Sequence, residues 1–197
     1  MTSLIFRRID LDEIRDIYYN DMVRQFPDSE RRSYANIVDL TTKGLYSGYG
    51  LFRETEICAY ALLASIPQSG YIILDYLAVP DPWKKQGYGS EMLYRLRSHY
   101  SNTDRILIET EDPDALSGAE RDIAMKRLGF YSKNGYRETN VEIGLFSVIY
   151  RLYVSNNAND TDNQLIDKIE LLYRTMIPLR LYERNVSLRL RTKEEKR

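Results

Sequence analysis

Residues 71–100 read YIILDYLAVPDPWKKQGYGSEMLYRLRSHY, and this stretch decides the fold. An apolar run with the character of a strand breaks at Pro80, crosses a turn that contains Lys84 and Lys85, and opens into a helix. Unpaired backbone N–H groups and the positive end of the helix dipole meet at such a helix start. The pattern therefore predicts a phosphate-binding turn, to which the two lysines add positive charge.

Spacing separates the known kinds of phosphate-binding turn. A Walker loop needs G-x-x-x-x-G-K-[ST], which the chain does not contain. A dinucleotide-binding turn needs G-x-G-x-x-G, but the third glycine is absent because Met92 stands three residues after Gly89. Two alternatives remain from the residues alone: an anion site of another kind, or an ordinary strand-to-helix turn that happens to contain glycine.

A second informative stretch, residues 106–136, reads ILIETEDPDALSGAERDIAMKRLGFYSKNGY. Its pattern predicts a short strand over residues 106–110, an acidic loop, and a helix. The serine and glutamate of residues 117–120, SGAE, predict a capping box at the helix start. Asn134 and Gly135 predict the helix end.

Together the two stretches resemble the GNAT N-acetyltransferases. Residues 77–80, LAVP, and 84–89, KKQGYG, resemble the acetyl-CoA signature of that family, with Lys84 where the family usually has Gln or Arg. Residues 130–136, FYSKNGY, resemble the FYxKxGF segment, with Tyr136 in place of Phe. The two motifs stand in the order and at the spacing that the family shows.

The resemblance implies the GNAT fold, an α/β (α+β) architecture. In that fold a central, twisted, mixed and mostly antiparallel sheet is flanked by helices. We expect it to occupy residues 1–155, followed by a helix–strand extension over residues 156–197. This extension is expected either to pack on the domain or to form a dimer interface.

Periodicity and turn residues predict the individual elements along the chain. A first helix should begin at residues 10–13 and end at Pro27, and a second should be capped by Asp28 or Ser29. A final hairpin should turn at Gly144. The predicted strands are 4–9, 50–53, 57–66, 71–79, 106–110, 136–143 and 146–155, with a further helix over 164–177 and a strand around 186–190.

The activity implied by the resemblance is acetyl-CoA-dependent N-acetyl transfer. The acetyl group would pass directly to a primary amine of a small molecule or peptide, with acetyl-CoA as co-substrate. Two alternatives stay open: a non-catalytic acyl-CoA-binding regulatory protein of the same fold, and an enzyme that acetylates protein N-termini or lysines.

The resemblance also implies roles for particular residues. Tyr131 matches the tyrosine that protonates the coenzyme A sulfur, and the N–H near Val79 is expected to polarise the acetyl carbonyl. The residues expected to contact acetyl-CoA are Leu77, Ala78, Val79, Lys84, Lys85, Gln86, Gly87, Tyr88, Gly89 and Ser90.

The base that removes the amine proton is predicted among acidic residues. Glu109 and Glu111 lie two positions apart, so in a strand they would share one face, and either could take the proton directly or through water. With Asp112 and Asp114 they would favour a cationic acceptor. The alternatives are a solvated acidic loop without a catalytic role, and removal of the proton by water alone.

Composition and charge limit the classes of partner that the chain is expected to bind. The formal net charge of −1 over 197 residues predicts no general affinity for nucleic acid or for anionic membranes. No run is apolar for long enough to span a bilayer, and the first residues lack the apolar core of a signal peptide, so a cytoplasmic location is expected. Cys58 is expected in the core and His99 on the surface of a helix, and no Cys or His cluster predicts a metal site.

Overall fold

A computed structural model describes residues 3–28, 30–66, 69–100, 105–156 and 159–192 of the chain. The chain forms two compact units. The first comprises residues 1–67 and 74–100, and the second comprises residues 68–73 and 101–197.

Four strands follow one another in the first unit: β1 (Leu4–Ile9), β2 (Tyr46–Arg53), β3 (Glu56–Ser65) and β4 (Tyr71–Ala78, of which residues 74–78 belong to this unit). β1 pairs antiparallel with β2, and β2 pairs antiparallel with β3. Every side chain of β3 from Cys58 to Ala64 is buried, so this strand forms the centre of the unit's core.

β2 begins four residues earlier than the sequence predicted. Two glycines lie inside this strand although glycine usually weakens one, because packing leaves no room for a larger residue there. A Cβ atom on Gly48 would lie 2.6 Å from Ile9 Cγ1, and one on Gly50 would lie 2.4 Å from Phe52 Cε2. Neighbouring side chains therefore cross the strand at positions where only glycine leaves room.

The helices of the first unit are α1 (Leu11–Ile17), α2 (Val23–Gln25), α3 (Tyr34–Thr42) and α4 (Tyr88–Tyr100), with a π-helical segment (Tyr18–Met22) joining the first two. α1 begins as predicted, in a capping box formed by Asp10 and Glu13. α2 ends shortly before Pro27, as predicted. α3 packs on β2, and α4 packs on β3.

The predicted start of the second helix was wrong. Its N-cap is Ser33, whose hydroxyl accepts from the Asn36 N–H, whereas Ser29 lies outside the described residues. The preceding segment is bound to β4: Arg32 Nε donates to Asp75 at 2.6 Å, and the Arg32 N–H donates to the Tyr76 hydroxyl at 2.8 Å. These tertiary bonds hold the backbone extended and delay the helix.

The second unit contains β5 (Arg105–Glu111), β6 (Tyr136–Leu145), β7 (Val148–Ser155) and β8 (Val186–Leu190), in the spatial order β5-β7-β6-β8. All three pairs in this series are antiparallel. The hairpin does not turn at Gly144 as predicted, because Phe146 and Ser147 form the turn with φ of +46° and +71°. Gly144 instead lies in β6, where a Cβ would meet Ser187 Oγ at 2.4 Å.

Three helices belong to the second unit: α5 (Gly118–Lys133), α6 (Asp162–Met176) and α7 (Leu179–Asn185). α5 ends at Asn134 and Gly135 as predicted, but Ser117 makes no side-chain capping bond. The predicted capping box fails because Gly118 adopts φ +54°, which is not a helical conformation. α5 packs on β5 and β6, and α6 packs on β6 and β8.

The α/β class and the mostly antiparallel strand pairing predicted from the sequence are therefore confirmed. The strand predicted around residues 186–190 is present and pairs with β6, while the short helix α7 was missed. Within the described ranges, no helix combines the length and apolar character that crossing a membrane requires.

Buried tyrosines predict sensitivity to alkali. Burial raises the pKa of Tyr46, Tyr60 and Tyr76 above the ordinary value of a phenol. Because the folded pKa exceeds the unfolded value near 10, this stabilisation is complete below about pH 10 and is lost as the pH rises through the folded values. We expect the free energy of unfolding, measured by urea melts, to fall steadily above about pH 10. Tyrosinate absorbance that develops fully near pH 10 while the fold persists would contradict this.

Candidate active site

Residues 79–87 carry the chain from β4 into α4. Pro80 has no N–H group to donate, so the strand ends there. A 3₁₀ turn (Asp81–Trp83) follows, in which the Trp83 N–H donates to the Pro80 carbonyl at 2.9 Å. The Trp83 ring meets the Tyr88 ring edge to face, with centroids 5.6 Å apart. The start of α4 is therefore packed against the turn that leads into it.

Gly87 has a left-handed backbone conformation at the start of α4. Its φ is +87°, its carbonyl accepts from the Glu91 N–H at 3.0 Å, and a Cβ built on it would meet no atom within 4 Å. Gly87 thus caps α4 and leaves open space beside it. The N–H groups of Tyr88, Gly89 and Ser90 lie in the first turn, where a helix offers no carbonyl four residues earlier.

The charge beside this turn is smaller than the sequence suggested. Lys84 Nζ lies 2.7 Å from Asp81 Oδ1, and this hydrogen bond lowers the pKa of Asp81. The positive charge of Lys84 is therefore partly offset. Lys85 is exposed and has φ +61°, and Gln86 Nε2 donates to the Pro82 carbonyl at 2.9 Å, which braces the turn.

Three residues expected to contact acetyl-CoA, Leu77, Ala78 and Val79, lie at the end of β4 or directly after it. Leu77 and Val79 are half-buried, whereas Ala78 between them is buried, as expected if the first two share one face. The Val79 carbonyl accepts from Gln25 Nε2 at 3.4 Å, so the residue after β4 is tied to α2. The contact of these three residues with acetyl-CoA stays a prediction.

The two predicted bases already have protein partners. The Tyr173 hydroxyl donates to Glu109 Oε1, and Arg127 Nη1 lies 3.2 Å from Glu111 Oε2. Both glutamates are half-buried, while Thr110 between them is buried, which agrees with a shared face. Both carboxylates are therefore already engaged by neighbouring side chains. Their catalytic role stays a prediction.

The acidic loop is similarly occupied. Arg151 Nε lies 2.8 Å from Asp112 Oδ1, and Arg151 Nη2 lies 2.5 Å from Asp114 Oδ2. Both carboxylates that were predicted to attract a cationic acceptor are therefore already paired with the same arginine, whose single charge offsets part of theirs. No group of three or more His, Cys, Asp or Glu in the described part of the chain could hold a metal ion.

Tyr131 lies in the last turn of α5, where the sequence predicted it. Its half-buried ring packs against the rings of Phe130, Tyr136 and Tyr153, at centroid distances of 5.3, 6.3 and 6.3 Å. Burial raises the pKa of Tyr131 to about 12, and the Arg127 guanidinium opposes this rise. The phenol is therefore protonated at neutral pH and able to donate a hydrogen bond.

The sequence reasoning missed Asp21, a carboxylate buried in the π-helical segment. Its Oδ2 accepts from the Tyr60 hydroxyl at 2.8 Å and from Gln25 Nε2, the nitrogen that also reaches the Val79 carbonyl. One signal was available. Asp21 stands seven residues after Ile14, in the buried stripe of the first helix, where an acidic residue is unexpected.

Two residues to which the sequence assigned no catalytic or binding role, Cys58 and His99, lie where it predicted. Cys58 is fully buried in β3, and burial raises the pKa of its thiol. His99 is exposed near the end of α4, with Nε2 3.2 Å from the Tyr49 hydroxyl. Neither lies in the turn between β4 and α4.

A family model described as the acetyltransferase (GNAT) family matches residues 11–135, more than half of the chain. The chain belongs to the GNAT acetyltransferase family. The matched region includes the turn at Gly87 and also Tyr131. It ends one residue before β6, so α6, α7 and β8 lie outside the part that identifies the family.

Solved GNAT structures share the fold. A protein of Bacteroides thetaiotaomicron assigned to this family has a TM-score of 0.67 at 17% identity, covering 87% of this chain and 98% of that one. The ribosomal-protein-S18-alanine N-acetyltransferase of Escherichia coli has a TM-score of 0.58 at 14% identity, covering 78% and 93%. A spermidine N-acetyltransferase of Vibrio cholerae has a TM-score of 0.56 at 12% identity, covering 79% and 95%.

At these identities the similarity shows the fold alone. No curated protein matches the chain. The second and third of these proteins are named for different acceptors, a ribosomal protein and spermidine. The fold therefore does not determine the acceptor, which has to be argued from the residues of this chain.

A pair of glycine substitutions tests the conformation of the turn. Gly87→Ala should lower the free energy of unfolding by about 1–2 kcal/mol, because an L-residue is strained at φ +87° even where the added methyl meets no atom. Gly129→Ala, in α5, should raise it by about 0.5–1 kcal/mol, since its Cβ also meets no atom and alanine favours a helix. Urea melts measure both. Equal shifts of the same sign would mean that the turn is not held left-handed in solution.

Proposed function

We propose that the chain is an acetyl-CoA-dependent N-acetyltransferase that moves an acetyl group directly to a primary amine of a small molecule or peptide. The observation that carries the proposal is the turn before α4, in a chain that belongs to the GNAT family. Gly87 turns the backbone into the helix, and open space lies where a Cβ of this residue would stand.

Acetyl-CoA would bind along this turn. The backbone N–H groups at the start of α4 suit a pyrophosphate, because they lack helical partners and carry the positive end of the helix dipole. Lys85 adds exposed charge, while Lys84 shares its charge with Asp81. The proposed phosphate contacts are Gln86, Gly87, Tyr88, Gly89 and Ser90, with Leu77, Ala78 and Val79 along the pantetheine arm.

Three roles are needed for the chemistry. A donor must polarise the acetyl carbonyl, for which we propose the Val79 N–H. A base or water must leave the amine uncharged, and a donor must meet the departing sulfur. For the last role we propose Tyr131, on the strength of its match to the family motif.

The pKa of Tyr131 limits how it can act. An alkyl thiol has a pKa near 8.5, so complete transfer of a proton from a phenol of pKa about 12 would cost roughly 5 kcal/mol. This cost favours a hydroxyl that donates its hydrogen bond to sulfur while the C–S bond breaks. The same high pKa also means that the Tyr131 hydroxyl keeps its proton at neutral pH until the reaction begins.

Acetyl-CoA binding is tested by thermal unfolding. Acetyl-CoA should raise the melting temperature, since a ligand present at about 100 times its Kd stabilises the folded state by roughly 2.7 kcal/mol. Gly89→Val should abolish the shift by placing a branched side chain in the first turn of α4. Gly129→Val, at an exposed position of α5 where a Cβ meets no atom, is the matched control and should keep it. A shift that survives Gly89→Val would remove the turn from the binding site.

Transfer itself is tested by release of coenzyme A with a panel of primary amines and a peptide that has a free N-terminus and a lysine. Release with simple amines supports the proposal. Release with the peptide alone would favour a protein acetyltransferase. Binding of acetyl-CoA without release for any acceptor would instead favour the non-catalytic alternative.

Tyr131→Phe separates a proton-donating hydroxyl from a packed ring. The ring contacts persist in this variant, so acetyl-CoA affinity and stability should change little, while turnover should fall by about 10²–10⁴, the usual size of a general-acid contribution. Steady-state kinetics with an amine identified above measure this. Tyr94→Phe, at a tyrosine that is 55% exposed, is the control. Normal turnover in Tyr131→Phe would show that water or another group protonates the sulfur.

A further inference from the structure

We propose that Asp21 is the acceptor-binding carboxylate of this site and that it selects a cationic primary amine. The inference rests on the proposed function and names its substrate class. Asp21 lies in the π-helical segment between α1 and α2, and its residue is only 9% exposed. A carboxylate is rarely buried to this degree unless it is paired or has a function.

The first support for this assignment is the position of Asp21 close to Val79. Gln25 Nε2 donates both to Asp21 Oδ2 and to the Val79 carbonyl, so one nitrogen lies within hydrogen-bond distance of both groups. Val79 is the residue whose N–H is proposed to polarise the acetyl carbonyl. A group that binds Asp21 is therefore held next to the residue at which acetyl transfer is proposed to occur.

The second support is the weak ion pairing of the Asp21 carboxylate. Asp21 Oδ2 is occupied by two neutral donors, Tyr60 and Gln25, which orient the carboxylate without neutralising it. The ion-pair partner of Oδ1 is Arg24 at 3.8 Å, a long separation, and the Arg24 side chain is 70% exposed. Such a pair contributes little and is readily replaced by another cation. An incoming ammonium group would give the carboxylate a closer cation than Arg24, and the bound ammonium would then pass a proton to water before its nitrogen attacks the acetyl carbonyl.

The third support is a comparison with two other enclosed carboxylates, Asp75 and Asp112. Asp75 is bound at 2.6 Å by Arg32, whose side chain is 21% exposed, and Asp112 at 2.8 Å by Arg151, which is 13% exposed. Both arginines are half-buried and hold their carboxylates closely. Asp21 differs from these two, because its cation is distant and exposed.

The local helix geometry agrees with this role. Residues 18–22 are π-helical, a rare form that occurs mostly as short segments at functional sites. The segment nevertheless keeps Tyr18, Asp21 and Met22 buried. The helix therefore holds the carboxylate inward at the point where regular α-helical hydrogen bonding is interrupted.

The experiment compares Asp21→Asn with Asp16→Asn. The asparagine oxygen can still accept from Tyr60, so only the charge is lost. Asp16 lies in α1 with its side chain 72% exposed and serves as the matched control. With n-butylamine as acceptor, Asp21→Asn should raise KM by about 10–100-fold, the range for loss of a hydrogen bond to a charged group. Acetyl-CoA binding should not change, and KM for aniline, which is uncharged at neutral pH, should change far less.

A binding measurement makes the test independent of turnover. In the presence of coenzyme A, which carries no acetyl group, n-butylamine should raise the melting temperature of the wild type and of Asp16→Asn but not of Asp21→Asn. The uncharged analogue n-butanol should have no such effect. If n-butylamine gives no shift in the wild type, or an equal shift in Asp21→Asn, the assignment of Asp21 is overturned.

Arg24→Ala gives a prediction of the opposite sign, and it keeps the test decisive if Asp21→Asn does not fold. Removal of the exposed arginine should lower KM for n-butylamine, because the ammonium no longer competes with a resident cation. An unchanged or higher KM would count against the proposal. Failure of the proposed function looks different: n-butylamine would then shift the melting temperature although no amine releases coenzyme A from acetyl-CoA.

Discussion

The candidate site depends on the end of β4 at Pro80. Because proline has no N–H group, the strand stops after Ala78, and the chain then folds back on itself through a 3₁₀ turn before α4 begins. The left-handed backbone at Gly87 then directs the chain into the helix, with open space where a Cβ of this residue would stand. The packing of Trp83 on Tyr88 joins the two sides of the turn. The proposed phosphate and carbonyl contacts thus come from one short, internally braced segment.

The helices before β2 are tied to the same strand by polar contacts. Gln25 reaches the Val79 carbonyl, and Arg32 binds Asp75 while its N–H donates to Tyr76. These bonds stabilise an otherwise irregular region that includes the π-helical segment and the extended chain before α3. The physical consequence is that a buried carboxylate, Asp21, is kept near the end of β4, with the exposed Arg24 at 3.8 Å as its ion-pair partner.

The chain contains many acidic groups, and their partners separate structural roles from a binding role. Glu111 and Asp112 are each held by an arginine of their own unit. A carboxylate that already has a close cation offers less to a cationic ligand. Spacing in the sequence cannot distinguish these cases, because the partner is supplied by another element.

The sequence by itself determined the local features: the strand Leu4–Ile9, the start of the first helix after Asp10, the turn at Gly87 and the end of α5 at Asn134. Each depends on neighbouring residues, through periodicity, capping or the conformational freedom of glycine. Only the tertiary structure decided where α3 begins, where the final hairpin turns and which carboxylates are already paired. Asp21 meets Tyr60 across 39 positions, and Glu109 meets Tyr173 across 64. Contacts at such separations follow from how the elements pack, which local patterns do not encode.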